Sequence, residues 1–257
     1  MNKNKAPLIS VITVCYNAVD VLEKTILSVI NQTYPSIEYI IIDGGSKDGT
    51  VDIIKKYSEH ISFWISEPDN GIYYAMNKGI ECSKGEWINF MNAGDLFYNN
   101  SVLSDVFAKS LQSKIKVVYG KTLAKYYWGS YIVTPPAISM LIQRMCLCHQ
   151  SLFIRTSYHK EHLYNTTIGL AADYNFLYHC YSAFPDSFLF SSSIISIYDA
   201  IEGVSAKRAM DTEYEIAKIS GFKSWTTMIK NILSGCCFIS LLYRCYFFFH
   251  PRFKRVD

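Results

Sequence analysis

Four times in its first hundred or so residues the chain runs an apolar stretch of strand length into a polar turn and then into helical spacing. That order constrains the fold more than any other feature. Leu8 to Tyr16 (LISVITVCY), Ile37 to Asp43 (IEYIIID), Ile61 to Ser66 (ISFWIS) and Trp87 to Met91 are rich in the β-branched and aromatic residues that strands favour. The second is almost wholly apolar, as a parallel strand covered on both faces must be. Val21 to Asn31, Thr50 to Ser58 and Ile72 to Cys82 repeat apolar residues on one helical face. Asn17 and Asp20 are expected to cap the first of these helices. Strand, loop and helix in repetition specify right-handed crossovers and a mostly parallel, wound α/β sheet. With 257 residues, half of them hydrophobic, the chain can form one large domain or one domain with an appendage.

Beyond Asp95 the alternation loosens. Helices are expected at Ser101 to Leu111, Ala137 to Arg144, Ala171 to Ser182 and Ala206 to Ser220, the last closed by Gly221. Strands are expected at Lys116 to Tyr119, Ser151 to Arg155 and Phe188 to Tyr198. Thr122 to Trp128 and Tyr131 to Thr134 form a hairpin about Gly129-Ser130. Ile232 to Phe249 is eighteen residues long and carries one charge, Arg244. As an apolar C-terminal helix it would be about 27 Å long, just short of a bilayer core. Lys223, Lys230, Arg252, Lys254 and Arg255 flank it, and Trp225, Tyr243 and Tyr246 are interface residues by type. A monotopic or re-entrant membrane anchor is the leading reading; a buried core helix or a dimer contact is the alternative. The chain therefore divides into a main domain over 1–221, with halves 1–100 and 101–221, and a membrane-associating helix and basic tail over 222–257.

A formal net charge of +3, with no nucleic-acid motif, argues against a nucleic-acid partner. The eight cysteines are scattered without zinc-site spacing and suit reduced thiols in a cytosolic setting. Met1 to Pro7 does not open a signal peptide. His159 and His162 match no metalloprotease motif and read as part of a solvated helix or loop.

The chemistry concentrates where strands stop. Loops beginning at Tyr16, Asp43 and Glu67, together with Asn92-Ala93-Gly94-Asp95, should emerge at one sheet edge, and each carries an Asn or Asp. Ligands of open α/β sheets bind just beyond the carboxyl ends of the strands. A short carboxylate beside a glycine lets a phosphate or a metal approach the backbone.

IIIDGGSKDGT, EPDNGIYYAMNKGI, the NAGD turn, CHQSLF and AADYNF, in this order, resemble the family 2 glycosyltransferases, in particular those that build bacterial surface polysaccharides such as O-antigen, capsule or colanic acid. The resemblance runs from about Pro7 to Ser205. It implies a GT-A fold and inverting transfer from a nucleotide-diphosphate sugar, UDP-linked, often with Mg²⁺ or Mn²⁺. Carried over residue by residue, Thr13, Cys15, Tyr16 and Asn17 would border the base and ribose, and Asp43 would hydrogen-bond the base. Gly44 departs from the family's second acid there. Asp69, Gly71, Asn77 and Lys78 would line the donor, and His149 and Gln150 would face the donor sugar or the acceptor. The family's Asp-x-Asp metal motif reads Asn92-Ala93-Gly94-Asp95 here, which leaves Asp95 as metal ligand with Asn92 assisting or contacting the ribose. A metal-free variant, with Lys or Arg screening the diphosphate, stays open. Asp173 matches the catalytic base, although an Asp at a helix start is also an ordinary cap. Gly203-Val204-Ser205 resembles the loop that closes over the donor.

The expected function is transfer of a sugar to a lipid-linked (polyprenyl-diphosphate) saccharide at the cytoplasmic face of the inner membrane, by a peripheral or monotopic protein with room for a homodimer. The alternative is a non-catalytic nucleotide-sugar-binding scaffold subunit of a polysaccharide assembly complex.

Overall fold

The computed structural model describes residues 6–199, 209–221 and 253–256. At its centre β1 (Ile9–Cys15), β2 (Ile37–Asp43), β3 (Phe63–Ser66) and β4 (Trp87–Phe90) run parallel in the order β4-β1-β2-β3. Three helices make the crossovers: α1 (Leu22–Ile30), α2 (Thr50–Lys56) and α3 (Ile72–Cys82). Every residue of β1 is buried, because the sheet is covered on both faces. Ile9, Val11, Tyr39, Ile41 and Trp87 pack on one side with Leu22, Ile26 and Val29 of α1 and Ile54 of α2. Ile12, Val14, Ile40, Ile42 and Ile88 pack on the other with Ala75, Met76 and Ile80 of α3. Each such aliphatic side chain contributes at most about 1.5–3 kcal/mol of transfer free energy.

Asn17 and Asp20 do not cap α1. Its N-cap is Val21, which makes no side-chain cap bond, and the Ala18 carbonyl takes the Val21 and Leu22 amides instead. Asn17 is drawn away into the loop after β2, to which it is bonded on two sides. α3 starts after Gly71, whose φ of 125° is closed to residues with a Cβ.

The rest of the sheet is antiparallel for the most part. β5 (Leu96–Phe97) is two residues long. β6 (Val117–Tyr126) is one strand where two were expected, and it forms a hairpin with β7 (Gly129–Val133). The turn is Tyr127-Trp128, and Gly129, with φ at 135°, opens β7 rather than forming the turn. Gly120 lies inside β6 because β9 (Phe188–Asp199) passes close by: a Cβ there would meet Ile195 at 2.6 Å and the Ser193 carbonyl at 2.9 Å. β8 (Leu152–Arg155) inserts antiparallel between β4 and β6. β10 (Phe253–Val256) adds antiparallel to β7 at the sheet edge. Only four of the nine described pairings are parallel, so the sheet is mixed rather than mostly parallel. The physical reason is connectivity: parallel neighbours need a long crossover, and helices stop alternating with strands near residue 100.

α4 (Val102–Val106) ends short of Leu111 because Phe107 turns inward onto Trp87 and Phe153. The expected helix at Ala137 to Arg144 is a 3₁₀ turn over Ile138–Ile142. α5 (Thr156–Glu161), α6 (Ala172–Ala183) and α7 (Ala209–Ser220) complete the described helices. Gly221 follows α7 at φ 68°, as a helix-closing glycine should. His159 on α5 is not solvated. It is fully buried among Phe90, Tyr164 and Phe176, and burial pushes its pKa down to about 4. The apolar helix expected at Ile232 to Phe249 and the Gly203-Val204-Ser205 loop lie outside the described residues. Lys254 and Arg255, assigned to a basic tail, are strand residues of β10. No described helix is long and apolar enough to cross a membrane.

At the amino ends of the central strands a buried cluster fixes register. Ser10 Oγ donates to Glu38 Oε2 at 2.6 Å, the Lys84 amide reaches the same oxygen at 2.7 Å, and the Gly85 amide donates to Ser10 Oγ at 2.8 Å. A Cβ on Gly85 would lie 2.6 Å from the Ser10 amide nitrogen and 2.7 Å from the Leu8 carbonyl. Gly85→Ala should therefore destabilise the protein by about 1–3 kcal/mol, read as a lower urea midpoint. Nucleotide binding by the folded fraction should be unchanged, because the cluster lies at the far end of the strands from the site.

Candidate active site

The carboxyl ends of the four parallel strands stay in register as they leave the sheet. Cys15 pairs with Asp43, the Gly44 amide bonds the Cys15 carbonyl, and the Glu67 amide bonds the Asp43 carbonyl. The Met91 and Ala93 amides bond the Ile12 and Val14 carbonyls. The four loops thus emerge side by side, as their sequence anticipated.

The loop after β2 is organised by Asp43, which is completely buried. Oδ2 accepts from the Gly45 amide at 3.1 Å, the Ser46 amide at 2.9 Å and Ser66 Oγ at 2.6 Å; Oδ1 accepts from Ser46 Oγ and from the Cys15 thiol. Burial alone would push this carboxyl up, but donation by Ser46 and Ser66 outweighs it and holds Asp43 below the ordinary carboxylate value. Its oxygens are saturated, so Asp43 supports the loop instead of presenting itself to a base. Cys15 is likewise turned inward, and its thiol is pushed up by burial and by Asp43. Thr13 is also core: its hydroxyl donates to the Met91 carbonyl at 2.7 Å and lies 3.0 Å from the Tyr39 hydroxyl. Asn17, at φ 47°, accepts the Lys47 amide at Oδ1 and donates its own backbone amide to Ser46 Oγ, which zips two loops together. Of the four residues expected to border the nucleotide at β1, Thr13 and Cys15 are buried, Asn17 is exposed but bonded into the loop after β2, and Tyr16 presents an open ring, at 67% exposure. A Cβ on Gly44 would meet the Tyr16 ring at 3.3 Å, so a side chain at this departed acidic position would push on that exposed ring.

In the loop before α3, Lys78 Nζ lies 2.5 Å from both Glu67 Oε1 and Asp69 Oδ1. Asp69 and then Glu67 push the Lys78 pKa up. Asp69 Oδ2 is buried and accepts no hydrogen bond from the protein. Asn77 does not line this loop. Its side chain bonds both the amide and the carbonyl of Tyr164, at 2.9 Å each, and fastens α3 to the segment before α6.

The Asn92–Asp95 turn closes through the Asp95 amide to the Asn92 carbonyl. Gly94 supplies φ 99°, and Thr25 Oγ1 on α1 accepts the Gly94 amide and donates to the Asp95 carbonyl. Ala93 contributes only backbone to the turn. Gln150 Nε2 donates to Asp95 Oδ1 at 2.9 Å. Asn92 Nδ2 stands 3.2 Å from His149 Nε2, and Asn92 Oδ1 is buried without a protein partner. His149 Nδ1 lies 4.0 Å from Asp173 Oδ2. Burial pushes the imidazole below its ordinary pKa, with Asp173 pulling the other way. Asp173 is not the N-cap of α6, which is Ala171. Its Oδ1 accepts the Tyr174 amide at 2.8 Å and lies 3.0 Å from the Tyr73 hydroxyl.

Burial, with the charge of Asp199 adding to it, pushes Asp95 up to about 7 against the Gln150 hydrogen bond. Asp199 ends β9, which pairs with β5 just after this turn, and its carboxylate was missed in the sequence although SIISIYD ends in an acid as IEYIIID does. Tyr73 and Glu215 were also missed. Glu215 on α7 accepts the Leu170 and Ala171 amides at 2.6 and 3.0 Å and so secures the start of α6. No sequence signal marks either. Among the described residues no group of three or more His, Cys, Asp or Glu side chains is arranged to hold a metal ion. The donors at hand are Asp95 and the orphaned Asn92 Oδ1, a set that fits a divalent cation only when substrate oxygens and water complete its shell.

Comparison with known proteins agrees with this geometry. The family described as "Glycosyl transferase family 2" matches residues 10–180. An uncharacterized glycosyltransferase of Mycobacterium tuberculosis is 33% identical over 178 residues, which are 67% of this chain and 68% of the relative. The crystal structure of Staphylococcus aureus TarS 1-349 in complex with UDP-GlcNAc has a TM-score of 0.65 at 18% identity, with 82% of this chain and 65% of that one covered. Mannosyltransferase PcManGT from Pyrobaculum calidifontis, in complex with GDP-Man and Mn²⁺, has a TM-score of 0.66 at 17% identity, with 86% and 66% covered. The chain thus spans just under two thirds of these solved chains, and they establish a shared GT-A-like fold.

The raised pKa of Asp95 has a testable sign. Between about pH 4 and pH 7 the native state holds a proton that the unfolded chain has released, so stability falls as pH rises through that window. Above about pH 7 the full penalty applies. Asp95→Asn removes it, so its melting temperature should rise relative to the unsubstituted protein on going from pH 5 to pH 8. A difference independent of pH would contradict the assignment.

Proposed function

This chain belongs to glycosyl transferase family 2, and from that premise we propose that it transfers a sugar, with inversion, from a UDP-linked donor to a lipid-linked saccharide during assembly of a bacterial surface polysaccharide such as O-antigen or capsule. The observation that carries the reading is the line of side chains from Asp95 and Asn92 through Gln150 and His149 to Asp173, which joins the leaving-group side of the cleft in this reading to a carboxylate across from it.

In this reading Asp173 is the base. Its Oδ1 is already occupied by Tyr174 and Tyr73, so Oδ2 takes the proton of the acceptor hydroxyl. The acceptor oxygen then bonds the anomeric carbon as the bond to the diphosphate breaks and its electron pair passes to the phosphate oxygen. Tyr16 offers a face for the base, with the ordered 44–46 backbone beside it. Asp95 with Asn92 Oδ1 would hold Mg²⁺ or Mn²⁺, and the ion would offset negative charge on the leaving diphosphate. The Mn²⁺ and nucleotide-sugar complexes of the structural relatives support donor and metal alike. Lys78 is committed to Glu67 and Asp69, which weighs against its screening the diphosphate in a metal-free variant.

Peripheral attachment to the cytoplasmic face of the inner membrane is supported by one edge of the sheet. Tyr127 at the β6–β7 turn is 81% exposed, and Tyr126 and Trp128 stack beside it. Lys125, Lys254 and Arg255 are exposed on the same edge. Aromatic side chains with cations beside them suit an anionic lipid interface.

A panel of UDP- and GDP-sugars assayed with membrane extract, with Mn²⁺ and with chelator, tests the main reading. Turnover is expected with a UDP-sugar, and Asp173→Asn should reduce it at least about a hundredfold while UDP still binds. No turnover with any donor would favour the scaffold alternative. For the membrane edge, Tyr127→Ser combined with Lys125→Glu should weaken co-sedimentation with phosphatidylglycerol vesicles several-fold; unchanged binding would remove this edge from the account.

A further inference from the structure

We propose that Tyr73 is the positioning residue of Asp173: its hydroxyl pins Oδ1, so that Oδ2 is the oxygen left to meet the acceptor. The proposal rests on the reading of Asp173 as the base.

Tyr73 is the second residue of α3, and Asn77 lies one turn further along the same helix face. Between them they hold both ends of the segment 164–173. Asn77 bonds the Tyr164 amide and carbonyl. The Tyr73 ring packs on the Tyr164 ring with 5.4 Å between centroids, and its hydroxyl lies 3.0 Å from both Asp173 Oδ1 and the Leu170 carbonyl. A phenol hydroxyl has one hydrogen, and an ionised carboxylate and a carbonyl only accept. The direction of the bond is therefore fixed, and the carboxylate, being charged, is the stronger of the two acceptors. The hydrogen is also kept at any working pH. Burial and the charge of Asp173 push the Tyr73 pKa up, so the phenol stays a donor.

The backbone that carries Asp173 is secured without this bond. Glu215 on α7 accepts the Leu170 and Ala171 amides, the Asn175 amide reaches the Ala171 carbonyl at 2.9 Å, and Ala171 and Ala172 are buried. What the Tyr73 hydroxyl adds is therefore local to the carboxyl group. The Tyr174 amide holds Oδ1 at 2.8 Å from within α6, and a carboxyl held at one point still swings about its side-chain bonds. A second donor, arriving from α3, stops that motion. Both anchors sit on Oδ1, which leaves Oδ2 to take the proton, and a base fixed in direction needs no realignment on the way to the transition state. α3 starts directly after the loop that holds Glu67 and Asp69, so one helix joins that loop to the base.

Tyr73→Phe removes one oxygen and keeps the ring on Tyr164, so it tests the hydroxyl alone. With a UDP-sugar and membrane extract, kcat should fall about tenfold while donor KM and UDP binding stay within about twofold. In the Asp173→Asn background the same substitution should change the residual rate by less than about twofold, because no base remains to be held. A native kcat in Tyr73→Phe, a matching loss of UDP binding, or an equal fold-loss in both backgrounds would overturn the proposal. A second arm needs no turnover. In urea unfolding, the double variant Tyr73→Phe/Asp173→Ala should lose less midpoint than the two single losses added together. Additive losses would show that the two side chains do not support each other and would also overturn it. The two readings fail separately. If Asp173→Asn transfers sugar at the native rate, the base is wrongly assigned and the proposal falls with it; if Asp173→Asn loses its hundredfold and Tyr73→Phe loses nothing, the base stands and the positioning role alone is removed.

Discussion

A sheet buried on both faces has nowhere to keep polar chemistry except at its ends. β1, β2 and β4 contribute mostly apolar surface to the two layers that sandwich them, and their few buried polar side chains, Ser10, Thr13, Glu38 and Asn89, are hydrogen-bonded within the protein. Each strand therefore releases its first functional group at its last residue or just past it: Tyr16, Asp43 and Asn92. Adjacent parallel strands in register end at the same level, so these releases coincide in space. The rest of the site is built to meet that rim. β8 runs antiparallel beside β4, and the turn before it brings His149 and Gln150 against the Asn92–Asp95 turn.

The polar groups at the rim divide into those that hold the loops and those left with unmet capacity. Asp43, Asn77 and Thr13 have their hydrogen-bonding capacity taken up within the protein. Burying them is tolerable because they are satisfied. Asp69 Oδ2, Asn92 Oδ1 and Asp95 differ: the first two are buried without partners, and the third carries a carboxyl raised to about 7. Unsatisfied groups gathered at one rim are destabilising in the isolated protein, and a ligand that satisfied them would recover that energy.

The first hundred residues were legible because hydrophobic period and turn chemistry agree there: α3 spans Ile72–Cys82 as its spacing required, and β2 spans Ile37–Asp43. Past residue 100 the strands pair with distant partners, and period says nothing about partner choice. The insertion of β8 between β4 and β6 and the return of β10 to β7 could not be read from local pattern. In the site the motifs located the right loops but not the direction of each side chain. Thr13 and Cys15 belong to a motif-bearing strand yet point into protein, and Asn77 serves Tyr164. Tyr73 lies on a helix face that reads as packing, and only the tertiary fold brings its hydroxyl to Asp173.

β10 changes the meaning of the chain's last residues. Antiparallel bonds to β7 make Phe253–Val256 a border of the sheet. Any truncation that begins in the apolar run also strips this border and leaves the outer edge of β7 unpaired. Such an open edge recruits other chains. Sedimentation of a truncated protein would then report strand-to-strand aggregation as readily as lipid attachment, and point substitutions are the cleaner way to separate the two.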